Sequence, residues 1–289
     1  MNRSNFRTAC ARILTPVLAP LLCAAVLLHG SLAQAYSQGK GKMSVAQATE
    51  LFSKEQLSQS LVPCASQFPR GVPLNLAMFP AERQVTGLCS NHFAVISSKQ
   101  TKTPLVVVER LTSAQLTDAK EESRTDVFFA DPRLKSSDRA GLDDFRSSGF
   151  DRGHLSPAGN QPDQASMAQS FALSNMIPQD PTNNRKTWAK IESDVRKYVR
   201  RAQGNVFVYS GPLFRGDLQT IGFSRVWVPT HLFKLVYDET TGKAWAYILA
   251  NTAEARVEAP VDYAEFVNQT SWQLLEASTG SYAARKIFK

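Results

Sequence analysis

The chain has 289 residues, 43% hydrophobic and 20% charged, an ordinary globular make-up. That composition excludes a collagen-like repeat, a coiled coil or a disordered tail as the main architecture, and the length fits one large domain or two small ones. A formal net charge of +8 points to an anionic partner, either nucleic acid or an acidic surface, without choosing between them.

Residues 1–35 have the pattern of a secretory signal peptide. Arg3, Arg7 and Arg12 form a positive start, residues 13–28 an apolar run broken by Thr15, Pro16 and Pro20, and Ala33-Gln34-Ala35 a small-x-small cleavage site before Tyr36. The run is short and proline-broken for a membrane anchor. Cleavage removes three arginines and no acid, so the mature charge falls to +5, and the expected location is the periplasm or the medium. No later stretch is apolar enough to span a bilayer, so no stable membrane association is expected. Cys64 and Cys89 remain as an even pair in an oxidising compartment. A disulfide between them is expected, with two buried thiols as the alternative.

Residues 36–84 read as an N-terminal helix and loop extension. Ser44 caps a helix reaching about residue 60, and the proline- and glycine-rich segment 61–88 reads as loop. Strands are predicted over 92–97 and 105–110, joined as a hairpin. Residues 112–150 are polar and unpatterned, and so long an irregular stretch in a compact domain is usually functional. A short helix fits 162–172. A longer one fits 184–202, where Trp188, Ile191, Val195 and Val199 share a face and the outer face is basic. Strands over 206–209, 225–228, 232–237 and 245–249 and a helix over 260–277 follow. The fold class is α+β, with mixed, mainly antiparallel sheets and flanking helices, and the main domain spans 85–289.

His92 and His231 lie in apolar strand-like runs and read as structural. His154 differs: Asp151-Arg152-Gly153-His154 puts an acid, a permanent cation and an imidazole within four residues, beside glycines that allow unusual backbone angles. Neutral imidazole can take a proton from water, and arginine can grip phosphate oxygens. The same four residues also fit a salt-bridged turn. Downstream, Asn184, Trp188 and Glu192 stand at i, i+4 and i+8. In a regular helix Asn184 and Glu192 are about 12 Å apart and roughly 80° out of line. A direct amide ligand plus a carboxylate acting through water suits magnesium at that spacing. A plain helix N-cap is the competing reading of Asn184.

In order and spacing, Asp151–His154, Leu173-Ser174-Asn175 with Pro178-Gln179, and Asn184, Trp188 and Glu192 resemble the DRGH, LSN-x-x-PQ and N-x3-W-x3-E blocks of the DNA/RNA non-specific endonuclease family. That family includes mitochondrial endonuclease G and secreted bacterial nucleases, and the chain resembles the secreted bacterial type. Thr103-Pro104-Leu105 and Val228-Pro229-Thr230-His231 with Phe233-Lys234 agree with family strands, so the likeness covers residues 85–280. The resemblance implies a ββα-metal core that cuts DNA and RNA with little sequence specificity, using Mg2+ with Mn2+ as substitute. It implies that His154 is the general base, Asn184 the direct metal ligand and Glu192 a ligand through water. Arg152 and Asn175 would support the phosphate and the hydrogen-bond network, and Asp151 would anchor the loop. Arg124 matches the transition-state arginine, with Arg110 and Arg133 as rivals. Some relatives dimerise, so a homodimer is compatible with it. A secreted nucleic-acid-binding or uptake protein that had lost catalysis would show a broken His154 or Asn184, and both are intact. A serine hydrolase using Ser156 or Ser174 would need a G-x-S-x-G elbow, which neither serine has.

Overall fold

The computed structural model describes residues 44–50, 52 and 60–275. The expected signal peptide, and parts of the helices expected over 44–60 and 260–277, lie outside the described residues. After helix α1 (Val45–Glu50), a run of 3-10 turns between residues 62 and 83 leads into β1 (Val85–Cys89), β2 (Phe93–Ser98) and β3 (Pro104–Leu111). Two short helices, α2 (Ser113–Asp118) and α3 (Leu142–Phe145), punctuate the polar segment. Then come β4 (Asp151–His154), α4 (Gln164–Gln169), β5 (Met176–Gln179) and a π turn (Asn183–Trp188) that continues as α5 (Ala189–Val199). The rest is β6 (Val206–Leu213), β7 (Thr220–Ile221), β8 (Val226–Trp227), β9 (His231–Asp238), β10 (Lys243–Ala250), β11 (Val261–Asp262) and α6 (Tyr263–Thr270).

A seven-stranded antiparallel sheet in the order β1-β2-β3-β6-β9-β10-β11 forms the centre. Strand residues alternate between its faces. Ala94, Ile96, Val106, Val108, Phe207, Tyr209, Phe233 and Leu235 pack on one side, with Leu61, Phe68, Phe79 and Phe266 over them. Val95, Val107, Val208, Leu232 and Val236 pack on the other, under Trp188, Ile191, Val195 and Val199 of the π turn and α5. Both faces are covered, which is why these strands read as continuous apolar runs. Leu155 and Ile177 join the second cluster and seat the β4–β5 ribbon on the sheet.

The expected β2–β3 hairpin and the central strands are present. The segment read as loop over 61–88 instead holds turns that contribute Leu61, Phe68 and Phe79 to the core, and it ends in β1. Gly87 masks that strand: a Cβ there would lie 2.7 Å from Leu61 Cγ. Cys64 and Cys89 are bonded as a disulfide across a separation of 25 residues, tying those turns to β1. A loop of that size stabilises by roughly 3 kcal/mol on the chain-entropy account. The strand expected over 225–228 is only Val226–Trp227, paired with Thr220–Ile221. The helix expected from 260 starts later, because Val261 and Asp262 pair with β10, and it stops where Ser271 turns left-handed at φ 60°.

Candidate active site

β4 and β5 form a separate antiparallel ribbon that pairs Asp151 with Gln179 and His154 with Met176. The DRGH segment is therefore a strand and not a salt-bridged turn. Gly153 is needed for close approach, not for an unusual backbone angle. A Cβ there would lie 2.0 Å from Gln179 Oε1, and Gln179 Nε2 donates to Asn183 Oδ1 at 2.8 Å. Glycine, glutamine and asparagine thus fasten the ribbon to the start of the helix.

Asn184 is not a helix N-cap. Asp180 fills that role, accepting from Asn183 N at its Oδ1 and from Asn184 N at its carbonyl, both at 2.8 Å. Asn184 Nδ2 donates instead to Asp151 Oδ2 at 2.9 Å, which leaves Asn184 Oδ1 without a hydrogen bond among the described residues. Asp151 also accepts a two-pronged bond from Arg185, Nε at 2.8 Å and Nη2 at 2.6 Å. Burial pushes the Asp151 carboxyl up, but Arg185 and Asn184 outweigh it and hold the group below its ordinary value.

His154 closes β4. Its ring meets Phe171 edge-on at 4.9 Å and Phe128 at 5.8 Å. Arg124 stacks on Phe171 at 5.0 Å and Arg152 on Phe128 at 4.2 Å, so each aromatic ring contacts the imidazole and one guanidinium. Nε2 is buried without a partner, so Nδ1 is the accessible ring nitrogen. Burial, then the charges of Arg124 and Arg152, lower the imidazole from 6.5 to about 3, so it is neutral at physiological pH. Burial also raises Glu192, with Lys234, Arg196 and Arg124 pulling the other way.

A cleft of about 530 Å³ is lined by Arg124, Asp151, Arg152, His154, Asn184 and Glu192, with Phe128, Arg185 and Arg196 beside them. Asn175 does not line it. Its fully buried amide accepts from Ser156 N at 2.9 Å and donates to Ser156 O and Ser170 O at 2.9 and 2.8 Å, so it pins the turn after His154 and does not face a phosphate. Of the three candidate arginines, Arg124 alone lines the cleft. Arg133 is buried in an ion pair with Asp131, and Arg110 bonds Asn205. His92 pairs with Asp163 at 3.4 Å and His231 contacts Thr230, both away from the cleft. Ser156 and Ser174 are buried and spent on Glu109 and Asp131.

The donor set suits a water-rich oxygen-binding cation. The free Asn184 Oδ1 and the Glu192 carboxylate share the cleft, while no cluster of three or more His, Cys, Asp or Glu able to hold a metal occurs among the described residues. Sequence reasoning did not assign Arg196, Arg185 and Phe128 to the cleft, nor Pro157, Ala158, Gly159 and Ala189, which complete its wall. Arg196 stands one turn beyond Glu192 and was findable by that spacing. Arg185 belongs to the basic outer face of the helix predicted over 184–202, and Phe128 sits in the unpatterned segment 112–150, which gave no signal.

The family model for DNA/RNA non-specific endonucleases matches residues 73–286. Mitochondrial endonuclease G of Bos taurus is 35% identical over 210 residues, 67% of this chain and 67% of its own length. The Homo sapiens endonuclease G is 37% identical over 179 residues, 57% of each chain. Mitochondrial nuclease EXOG of Danio rerio is 35% identical over 159 residues, 51% of this chain and 45% of its own. The chain thus spans from under half to two thirds of the length of these relatives. A chain in the crystal structure of an EndoG/EndoGI complex aligns with a TM-score of 0.61 at 25% identity, over 69% of this chain and 88% of that one. A ββα cleft on an antiparallel sheet, and a family match over most of the chain, lead to one conclusion: this protein belongs to the DNA/RNA non-specific endonuclease family.

Proposed function

We propose that the cleft hydrolyses phosphodiester bonds of DNA and RNA with little sequence specificity, with His154 as general base and one magnesium ion as cofactor. The observation that carries this reading is the meeting of a neutral imidazole, two guanidinium groups, a free amide oxygen and a carboxylate in one cleft.

His154 Nδ1 takes the proton of the attacking water. Arg124 and Arg152 hold the non-bridging oxygens, where charge grows in the transition state. A phosphate seated there offsets the two positive charges beside His154 and raises its basicity toward the working range. Asn184 Oδ1 would hold the magnesium ion directly and Glu192 through water. When bound, the ion supplies fixed positive charge to the phosphate, and manganese, which also takes oxygen ligands, would substitute. Asp151 orients the Asn184 amide so that its oxygen stays available. Contacts of this kind read the backbone, which carries no sequence information, and weaken with salt.

The test is cleavage of supercoiled plasmid, linear DNA and RNA by purified protein in magnesium or EDTA. All three should be cut in magnesium and none in EDTA. Cleavage in EDTA, or binding without cleavage by folded protein in magnesium, would overturn the reading, and the second result would favour a nucleic-acid-binding role. Export is proposed on the pattern in residues 1–35. N-terminal sequencing should find Tyr36 first, and an intact leader on the functional protein would refute it.

A further inference from the structure

Two charged side chains interrupt the apolar face of the sheet beneath the cleft. Glu109 continues the Val107 and Leu111 side of β3, and Lys234 the Leu232 and Val236 side of β9, and each is 1% exposed. The cleavage reaction uses neither. Glu109 Oε1 accepts from Ser156 Oγ at 2.9 Å and from Asn160 Nδ2 at 3.2 Å. Ser156 is bonded by Asn175 through its backbone, and Asn160 Oδ1 accepts from Arg196 of α5 at 3.3 Å. Lys234 Nζ donates to Ser210 Oγ, its register partner in β6, at 2.6 Å and to Leu155 O at 3.4 Å. The same ammonium lies 4.9 Å from the Trp188 ring centre. Leu155 follows His154, and Trp188 lies between Asn184 and Glu192.

We infer that Glu109 and Lys234 are positioning residues for this reaction: anchored in the sheet, they hold the turn after His154 and the helix bearing Asn184 to one rigid reference. An apolar pair could fill the same volume, but it could not grip Leu155, Ser156 and Asn160. Buried charge is costly unless it is paired and hydrogen-bonded, and here the bonds run to the turn that carries the base. The inference rests on the proposed chemistry of the cleft.

The experiment compares Glu109→Leu, Glu109→Gln and the double variant Glu109→Leu/Lys234→Met in the full chain. The readouts are thermal melting, steady-state plasmid nicking in magnesium, and the 15N resonances of the His154 ring. Glu109→Leu should lower kcat by roughly tenfold or more with KM little changed, because a small misplacement of the base slows chemistry without weakening binding. It should also shift the His154 ring resonances. Glu109→Gln keeps the Oε1 acceptor and should recover about threefold or more of that loss. The double variant buries no charge and should fold where Glu109→Leu does not, with the same loss of kcat and the same shift. A folded Leu variant with kcat within about twofold of wild type and unmoved resonances overturns the inference. So does Glu109→Gln losing as much as Glu109→Leu, since charge and not grip would then be at work. If wild-type protein does not cut, the proposed chemistry has failed, and the ring resonances still decide whether the pair positions His154.

Discussion

The central sheet and the outer strand of the ribbon, β4, are held in different ways. Every residue of β2 is buried, apolar residues of β2 and β3 pack against both faces of the sheet, and dispersion and area burial hold it. β5 is buried and seats the ribbon on the sheet, but in β4 only Gly153 is buried, and β4 is placed by amide and carboxylate contacts among Gly153, Gln179, Asn183, Asn184 and Asp151. The sheet therefore determines whether the chain folds, and the ribbon determines where a few atoms lie within a folded chain.

Substitutions that separate rate from stability probe this division. The largest effect expected is from His154→Ala, which should lower kcat about 10³-fold, or ~4 kcal/mol, while the melting temperature holds. A large loss of stability in that variant would break the division. Phe207→Ala, in the sheet core, should cost about 3 kcal/mol in chemical denaturation and leave kcat per folded molecule nearly unchanged. Gly153→Ala tests the boundary. Its methyl must displace Gln179, so it should lose roughly 1–3 kcal/mol of stability and activity together.

The pH dependence has a definite sign. The folded-state value of His154, about 3, lies below the 6.5 of a free imidazole. Protonation therefore favours the unfolded chain, and the stability due to the neutral ring is full above pH 6.5 and is lost as pH falls toward 3. Denaturation at mildly acidic and neutral pH should show a smaller acid loss in His154→Ala than in wild type. Arg185→Ala should have the smallest effect on stability, because that arginine is exposed and its ion pair with Asp151 is screened by solvent. Its effect should appear instead in the magnesium concentration that supports cleavage, through a looser Asn184 amide.

The same division explains what could be read from the chain. β2, β3, β9 and α5 were legible because burial dictates apolar runs and a helical stripe, as at Trp188, Ile191, Val195 and Val199. The site residues were legible as an ordered set of motifs, while their local geometry was not. β4 has too few apolar positions for alternation to register. Gly153 looked like a turn residue because sequence cannot show that Gln179 crosses its face. Asn184 looked like a cap because Asp180, four residues earlier, gave no sign of taking that role. The grouping of Arg124, Phe128 and Phe171 around His154 depends on long-range packing with no local pattern.

The π turn over Asn183–Trp188 carries a further consequence. An i→i+5 turn is a phase shift: it holds one more residue than a regular helical turn, and all that follows is rotated relative to all that precedes. Winding the same residues as an ordinary helix, without the wide turn, would swing Asn184 by roughly 100° about the axis relative to Glu192. The amide and the carboxylate would then face different directions, although every motif residue remained. For this chain the width of that one turn is as much a part of the active site as the identity of the residues on either side of it.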